Sequence, residues 1–401
     1  MRGGAGSKGS ERTMRFLFVN RFYGGQDVPT GRMLSDVVAQ LTDAGHQVTI
    51  VAASAAYTSR QSADAQEATS KLRIRRLSFT GGGRASSWIL FWAQAIFLVT
   101  FGRWDRCVLM TDPPFLTLAA PLAKLVRSDR RIDWWTMDLY PEALAAGGIM
   151  NSNGFLYRGL RAIHAASLRA IDGVVALGPR QLRRLEAYPA CRDKGDDSTI
   201  VPPWDDRPLD SVVPEQNRVI ERMGWHDRKV ALYAGNLGFG HTFSSLVAAA
   251  RALHEAGDES WVFAFFCRGA HKEALAAQTA DMPNVFVADY VAPDETAELL
   301  HAATVHLITM AEGWEGIVVP SKLYGVLQTS APVLFIGPDD ADTAIEIQSH
   351  GLGRSLPNGS TANAVVKALE ELAEHQRAAL DATDRGPGAL ARFLTRECAT
   401  A

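Results

Sequence analysis

Three times in this sequence a short apolar run stops at a glycine-flanked turn and gives way to a helical pattern. RFLFVN (15–20) runs into RFYGGQDVPTG, and KVALY (229–233) runs into AGNLGFGHTF. EGWEGIVVPSKLYGVLQTSAPVLFIGP (312–338) carries such a turn, a helix expected over 321–329 and a buried strand over 333–336. After the first turn Met33, Leu34, Val37, Val38 and Leu41 recur at helical spacing, Gly45 ends the helix, and 48–52 is again a strand. Strand, loop, helix and strand in this order form a βαβ unit, whose strands pair in parallel. Further apolar runs at 72–77, 105–111, 132–138, 173–177 and 199–201 extend the first half, and 261–267, 285–288 and 305–309 the second. The fold class is therefore α/β, with two doubly wound domains.

The boundaries follow from composition. Residues 1–13 have no apolar core and read as a disordered tail rather than a signal peptide. The first domain is expected over 14–205. Residues 204–227 are polar and proline-interrupted, so the second domain takes 206–385. The remaining 386–401 form a tail or helix that packs back on the first domain. At 401 residues and 47% hydrophobic the chain suffices for two such cores. A net charge of −3 gives no reason to expect a nucleic-acid partner. Cys107, Cys191, Cys267 and Cys398 lack metal-ligand spacing and point to a reduced, cytoplasmic protein without disulfides. Residues 88–101, WILFWAQAIFLVTF, are too few to cross a bilayer core and read as a buried helix. The alternative places their exposed part on a membrane, which would make the protein peripheral on its inner face.

Glycine turns at helix starts gather backbone N–H groups and partial positive charge, which suits a phosphate. By this criterion Thr30 and Gly31 in the first half, and Gly235, Asn236, Gly238 and Gly240 in the second, are places where backbone approaches a ligand. Gly316, Ile317, Val318 and Ser321 form a third such place, with Lys322 in the first turn of the helix that follows. Each also fits an ordinary loop-to-helix connection. His241 is a candidate donor to a diphosphate, or a cap. Asp138 stands at a C-terminal strand end, where ligands bind in parallel sheets, and Glu142 follows a proline at a helix start. Their bland readings are an N-cap and a solvated acid. Asp340 and Asp342 have a spacing that could hold a divalent metal, but a helix cap is the favoured reading and no metal is expected.

At 316–324, GIVVPSKLY, the chain resembles the donor side of retaining GT-B glycosyltransferases of the family 4 type, in the subgroup reading G-[IV]-V-V-P-S-K-[LF]-Y. YAGNLG (233–238) resembles a second motif of that family, and MDLYPE (137–142) its acceptor-side motif. The resemblance covers about 15–353. It implies two Rossmann-like GT-B domains facing each other across a cleft, a nucleoside diphosphate sugar as donor with UDP favoured, and no cofactor. The acceptor would be a glycan, a lipid-linked sugar or a small molecule, as in enzymes of polysaccharide biosynthesis. It further implies that Asp138 contacts the sugar or the acceptor hydroxyl, that the loop at Thr30 and Gly31 faces the cleft, and that Tyr290 neighbours the base. The family's ribose-holding glutamate falls on Gly325, leaving Glu315 or another arrangement to hold the ribose. The arginine expected after the YAGNLG loop is replaced by Phe239, Gly240 and His241. Neutralising the leaving diphosphate would then pass to Lys322, aided by His241 or Arg268 and by the N–H groups of Ile317 and Val318. The alternatives are a nucleotide-sugar 2-epimerase, or a catalytically idle subunit that binds the nucleotide sugar.

Overall fold

The computed structural model describes residues 12–24, 28–53, 69–77, 84–205, 209, 212, 216–374 and 386–396. Gly25, Gly81–Gly83, parts of the linker and the first eleven residues lie outside this set, as does Cys398.

Two parallel sheets organise the chain. The first has seven strands: β1 (Arg15–Val19), β2 (Gln47–Ala53), β3 (Leu72–Leu77), β4 (Arg106–Leu109), β5 (Arg131–Trp135), β6 (Gly173–Ala176) and β7 (Ser198–Ile200). Their order is β3-β2-β1-β4-β5-β6-β7, so the chain starts in the middle, winds one way, then returns and winds the other. The second holds β8 (Lys229–Asn236), β9 (Trp261–Arg268), β10 (Val285–Ala288), β11 (Val305–Thr309), β12 (Val333–Ile336) and β13 (Gly353–Leu356), in the order β10-β9-β8-β11-β12-β13. Both are doubly wound Rossmann-like sheets. Strand β13 is invisible to hydrophobic patterning because GRSL is a half-buried edge. Its Gly353 has φ 155, and a side chain there would strike the Val333 carbonyl oxygen at 1.9 Å.

Helix α1 (Pro29–Asp43) buries Met33, Leu34, Val37, Val38 and Leu41 against one face of the first sheet. The other face carries α2 (Arg84–Phe101), α3 (Ala119–Val126) and, beyond the short α4 (Glu142–Ala146), α5 (Phe155–Leu168). Helix α2 is not the buried helix expected from its composition. Phe91, Ala95 and Val99 enter the core, whereas Ile89, Phe97 and Phe101 stand in solvent. Its apolar residues cover the whole circumference, but only one stripe meets the sheet. The chain continues through α6 (Pro179–Leu185), α7 (Pro189–Arg192), α8 (Arg218–Met223), α9 (Ser244–Glu255), α10 (Lys272–Gln278) and α11 (Thr296–His301). Helix α12 spans Lys322–Val326, shorter than the expected 321–329, and Thr329 ends in a turn whose hydroxyl donates to the Val326 carbonyl at 2.9 Å. The last helices are α13 (Asp342–Ser349), α14 (Ala362–Ala373) and α15 (Pro387–Thr395).

Helix α15 packs on α1, not on the second sheet. The fully buried Arg106 guanidinium ties it down, reaching Asp133 and the Leu394 carbonyl, each at 2.5 Å. Between the domains the core is continuous: Leu139 and Ala143 of the first share a cluster with Trp314, Ile317, Leu323 and Tyr324 of the second. At its rim the Asp342 carboxylate accepts the backbone N–H of Arg180 at 2.6 Å and of Gln181 at 3.1 Å. It caps α6 from the opposite domain, and Asp340 pairs with Arg180 at 2.9 Å. Position 178 must be glycine, since a side chain there would lie 2.4 Å from that carboxylate. The acidic triplet is thus an interdomain cap.

Asp342→Ala leaves two helix-start donors unpaired at a buried seam. We expect a loss of about 2 kcal/mol in urea unfolding, with Asp342→Asn losing less because its amide oxygen still accepts.

Candidate active site

The C-terminal ends of both sheets meet at the seam. On the first-domain side, β1, β4 and β5 deliver Arg21, Asp112 and Asp138 just past their last residues. Arg21 pairs with Asp112 at 2.9 Å and also donates its backbone N–H to the Asp112 carbonyl at 2.8 Å. Among the described residues Asp138 has no such cation. Its backbone N–H is held by the Thr111 hydroxyl at 3.2 Å. The residue is open to solvent but crowded by protein. Desolvation, with the Asp112 charge adding, pushes its carboxyl up to about 6. Behind it lies a small cavity lined by Thr111, Phe115, Thr117, Trp134, Tyr140 and His164 among others. His164 is buried, Thr117 holds its Nδ1 at 3.1 Å, its Nε2 has no hydrogen-bond partner, and burial lowers its pKa to about 4.

Glu142 does not reach this space. Tyr188 donates to its Oε1 at 2.5 Å, Arg161 stands 3.8 Å away, and the residue is buried. It is a structural acid inside the first domain, because the turn that begins at Pro141 points the first helical side chain into the fold. Thr30 sits in the opening turn of α1, and the next residue, Gly31, is buried there.

On the second-domain side, Lys322 is the centre. Its ammonium donates to the Tyr233 hydroxyl and to the Asn236 carbonyl, the latter at 2.6 Å, and its nitrogen lies 4.1 Å from the Tyr233 ring centroid. Tyr233 in turn donates to the Asn236 carbonyl at 2.8 Å. His241 completes the cage. Its Nδ1 meets the Thr309 carbonyl at 2.7 Å, and since a carbonyl only accepts, Nδ1 carries the proton. Its Nε2 lone pair therefore faces the Lys322 ammonium at 3.3 Å. This corrects the expectation of a second cation. Burial and the Lys322 charge push the imidazole down to about 3, so it serves as a neutral acceptor. Burial likewise brings Lys322 down to about 7. No carboxylate pairs with it among the described residues.

The glycine turn makes room for this lysine. Gly235 has φ 139, and a side chain there would lie 2.6 Å from Lys322 Cε. Trp314 wedges the seam, and a side chain at Gly240 or Gly147 would lie 3.1 or 3.6 Å from its ring. The Ile317 and Val318 N–H groups, expected to face a ligand, are spent on the Trp314 carbonyl at 3.0 and 3.4 Å. Ile317 is buried, and its own carbonyl accepts the Leu139 N–H at 3.0 Å, which ties the Asp138 loop to the Lys322 loop. Gly316, with φ 69, lies against the Arg180 carbonyl. Glu315 is 3.9 Å from the Arg180 guanidinium, and its backbone carbonyl takes Arg184 at 2.9 Å. Ser321 precedes α12 without a side-chain cap. Gly325 abuts Asp205, whose Oδ2 would be 3.7 Å from a side chain there; Arg32 holds that carboxylate at 3.1 Å. Arg268, at the end of β9, stacks over Tyr290 at 5.0 Å and stands 3.5 Å from Asp289.

The structure thus gathers Lys322, Gly235, Asn236 and His241 into one group. Glu315 and Gly316 belong to the seam and Glu142 to the core. Asp112 and Arg21 went unremarked as site residues, although the strand-end rule that marks Asp138 marks them too. Tyr233 looked like an ordinary strand residue.

No protein-family model matches the chain. A curated relative from Pseudomonas aeruginosa, named "Probable glycosyltransferase WbjE", is 25% identical over 298 residues, covering 71% of this chain and 70% of that one. Among solved structures, WaaG, described as a glycosyltransferase involved in lipopolysaccharide biosynthesis, superposes with TM-score 0.61 at 16% identity, over 95% of this chain and 94% of that one. The chain has the GT-B fold and is similar to glycosyltransferases. The catalytic domain of starch synthase IV from Arabidopsis thaliana, solved with ADP and acarbose, shares the fold at TM-score 0.60 and 8% identity, over 96% and 95% of the two chains. So does UDP-GlcNAc 2-epimerase from Methanocaldococcus jannaschii, at TM-score 0.55 and 12% identity over 95% and 99%. In this chain no described helix is long and apolar enough to cross a membrane.

Gly235→Ala tests the fit of the lysine cage. The added methyl must displace Lys322, so nucleotide-sugar affinity, read by calorimetry, is expected to fall about 10-fold or more. Gly257→Ala is the control, since Gly257 also has positive φ (69) but faces open space, and should leave affinity unchanged.

Proposed function

We propose that this protein is a retaining, metal-independent glycosyltransferase that moves a sugar from a nucleoside diphosphate sugar, UDP-linked in the favoured case, to an acceptor hydroxyl. The observation that carries the reading is the Lys322 cage. Among the described residues this cation is held by a phenol, a carbonyl and a neutral imidazole, none of which compensates its charge. Exchanging these neutral acceptors for diphosphate oxygens gives charge-assisted bonds, which are stronger.

In the transfer the acceptor oxygen bonds to the anomeric carbon as the bond to the β-phosphate oxygen breaks. Negative charge grows on the departing diphosphate, and Lys322 stabilises it, with the Gly235–Asn236 turn allowing close approach. The hydroxyl proton passes to the leaving phosphate on the same face, in keeping with retention. Asp138 orients the acceptor hydroxyl from across the seam. Its raised pKa makes it a better acceptor of that hydroxyl's hydrogen bond than an ordinary carboxylate. Arg268 and Tyr290 form a flat, basic surface at the end of β9 that suits the nucleobase. The relatives fit this assignment: the starch synthase was solved with ADP, and another solved neighbour with UDP-2-fluoro glucose.

A panel of nucleoside diphosphate sugars in EDTA, scored by thermal shift and by diphosphate release, tests donor class and metal independence together. Release that requires added divalent metal overturns the metal-free part, and donor interconversion without acceptor indicates an epimerase. Lys322→Ala is expected to lower kcat about 100-fold or more; wild-type turnover in the folded variant removes its role.

The pH dependence has a defined sign. Lys322 is cationic below its pKa of about 7, and Asp138 is ionised above about 6. The plot of kcat/KM against pH, which reports the free enzyme, should rise through about 6 and fall through about 7. Asp138→Asn should abolish the acid limb and leave the alkaline one. A profile flat from pH 5 to 8 contradicts both assignments.

A further inference from the structure

Apolar surface is distributed very unevenly over the molecule. Of the fourteen large apolar side chains exposed among the described residues, twelve fall between Trp88 and Ile163. They belong mainly to α2, α3 and α5, which lie side by side as one layer, α2 on α3 and α3 on α5. On α2, Ile89, Phe97 and Phe101 follow one line at intervals of two turns and one turn, and the last two rings sit 5.2 Å apart. Leu125 of α3 is 83% exposed, and Phe155 of α5 is 86% exposed. Surface of this kind is not scattered in the way ordinary exposed apolar residues are.

Charge distinguishes the possible occupants. The three helices contain four charged residues, Arg84, Lys124, Arg158 and Arg161, and all are basic. The chain as a whole carries −3, so this layer runs against the average. Lys124 pairs with Asp172 and Arg161 approaches Glu142, which takes them out of the count. Arg158, together with Arg103 and Arg169 at the helix ends, is exposed and has no carboxylate partner among the described residues. Aromatic and aliphatic side chains interleaved with unpaired arginines, and no acid on any of the three helices, match an anionic lipid headgroup layer with acyl chains beneath it.

We propose that the α2–α3–α5 face docks this protein, peripherally, on an anionic bilayer. Phe97, Phe101, Leu125 and Phe155 enter the boundary between headgroups and acyl chains, and Arg103, Arg158 and Arg169 meet lipid phosphates. The depth of insertion is that of side chains, since no described helix is long and apolar enough to span. Trp88 contributes less, because Arg21 already lies over its ring at 4.6 Å.

Co-sedimentation of the full chain with vesicles tests this without any donor or acceptor, so its result is separate from that of the transferase assays. Mixed phosphatidylglycerol–phosphatidylcholine vesicles should pull down the wild type, and pure phosphatidylcholine far less. Phe97→Ser/Phe101→Ser/Leu125→Ser should lower partitioning about 100-fold, given the apolar area withdrawn from lipid. Arg158→Glu/Arg169→Glu should lower it about 10-fold or more on the anionic vesicles alone. All these positions are exposed, and circular dichroism and thermal melting check that the variants fold. Failure of the wild type to bind, or equal binding by the triple serine variant, overturns the proposal. So does a dimer, seen by sedimentation velocity, that the serine variant breaks while vesicle binding is absent; that face would then belong to a second copy of the chain.

Discussion

The Asp342 carboxylate enters the other domain and takes two backbone N–H groups at the start of α6. Everything at the seam is arranged around that insertion. Gly178 must lack a side chain to admit it, Gly316 must lack one to pass the Arg180 carbonyl, and Arg180 is left to pair with Asp340 and approach Glu315. With these points fixed, Trp314 fills the space beside Gly147 and Gly240, and the Leu139 N–H reaches the Ile317 carbonyl. Helix capping and apolar wedging thus set which strand ends of one sheet face which strand ends of the other. Parallel winding alone places ligands at those ends, but it does not say how two such edges are aligned.

Alignment brings together two groups whose protonation changes near neutrality, each shifted by a different environment. Asp138 is raised by crowding and by a like-charged neighbour, while that neighbour, Asp112, is itself held by Arg21. Lys322 is lowered by burial in a cage of neutral acceptors. A carboxylate inside that cage would have raised the lysine and neutralised it. With Tyr233, the Asn236 carbonyl and the Nε2 of His241 around it, the lysine has no carboxylate partner among the described residues. The backbone carbonyl of Thr309 is the hidden part of this design, because it fixes the imidazole tautomer and so aims a lone pair, not a proton, at the lysine.

Much of this was legible in the residues. Twelve of the strands stand out as apolar runs, and one of the three glycine turns, at Gly235, proves to be the one that makes room for Lys322. Lys322 could be singled out because a cation in the first turn of a helix runs against the helix dipole. What pattern cannot give is direction. Glu142 and Asp138 are four residues apart in one motif, yet one turns into the core toward Tyr188 and the other toward the cleft. Ile317 and Val318 sit in a glycine-flanked turn that reads as an anion nest, but a single carbonyl, that of Trp314, absorbs both N–H groups. Helix α2 is apolar on all sides, so composition implied burial on all sides. Only the packing partner decides which stripe is covered, and the sheet covers one.

That uncovered stripe is connected to the site through the helix layer. His164 and Ile163 are consecutive on α5 and face opposite ways. The imidazole is buried and helps wall the cavity behind Asp138, while the isoleucine is exposed. Phe115, just before the Leu116–Leu118 turn that packs on α2, α3 and α5, lines the same cavity and sets its ring edge-on to His164 at 5.9 Å. Of the helices that expose apolar surface, α5 therefore lines the cavity directly through His164, and α2 and α3 reach it through the turn at Leu116–Leu118. A close-packed layer transmits displacement because its interior has little free volume to absorb it. Whatever covers the outer face of α5 is one helix thickness from the residues around Asp138, and the first-domain side of the seam is the side it would reach.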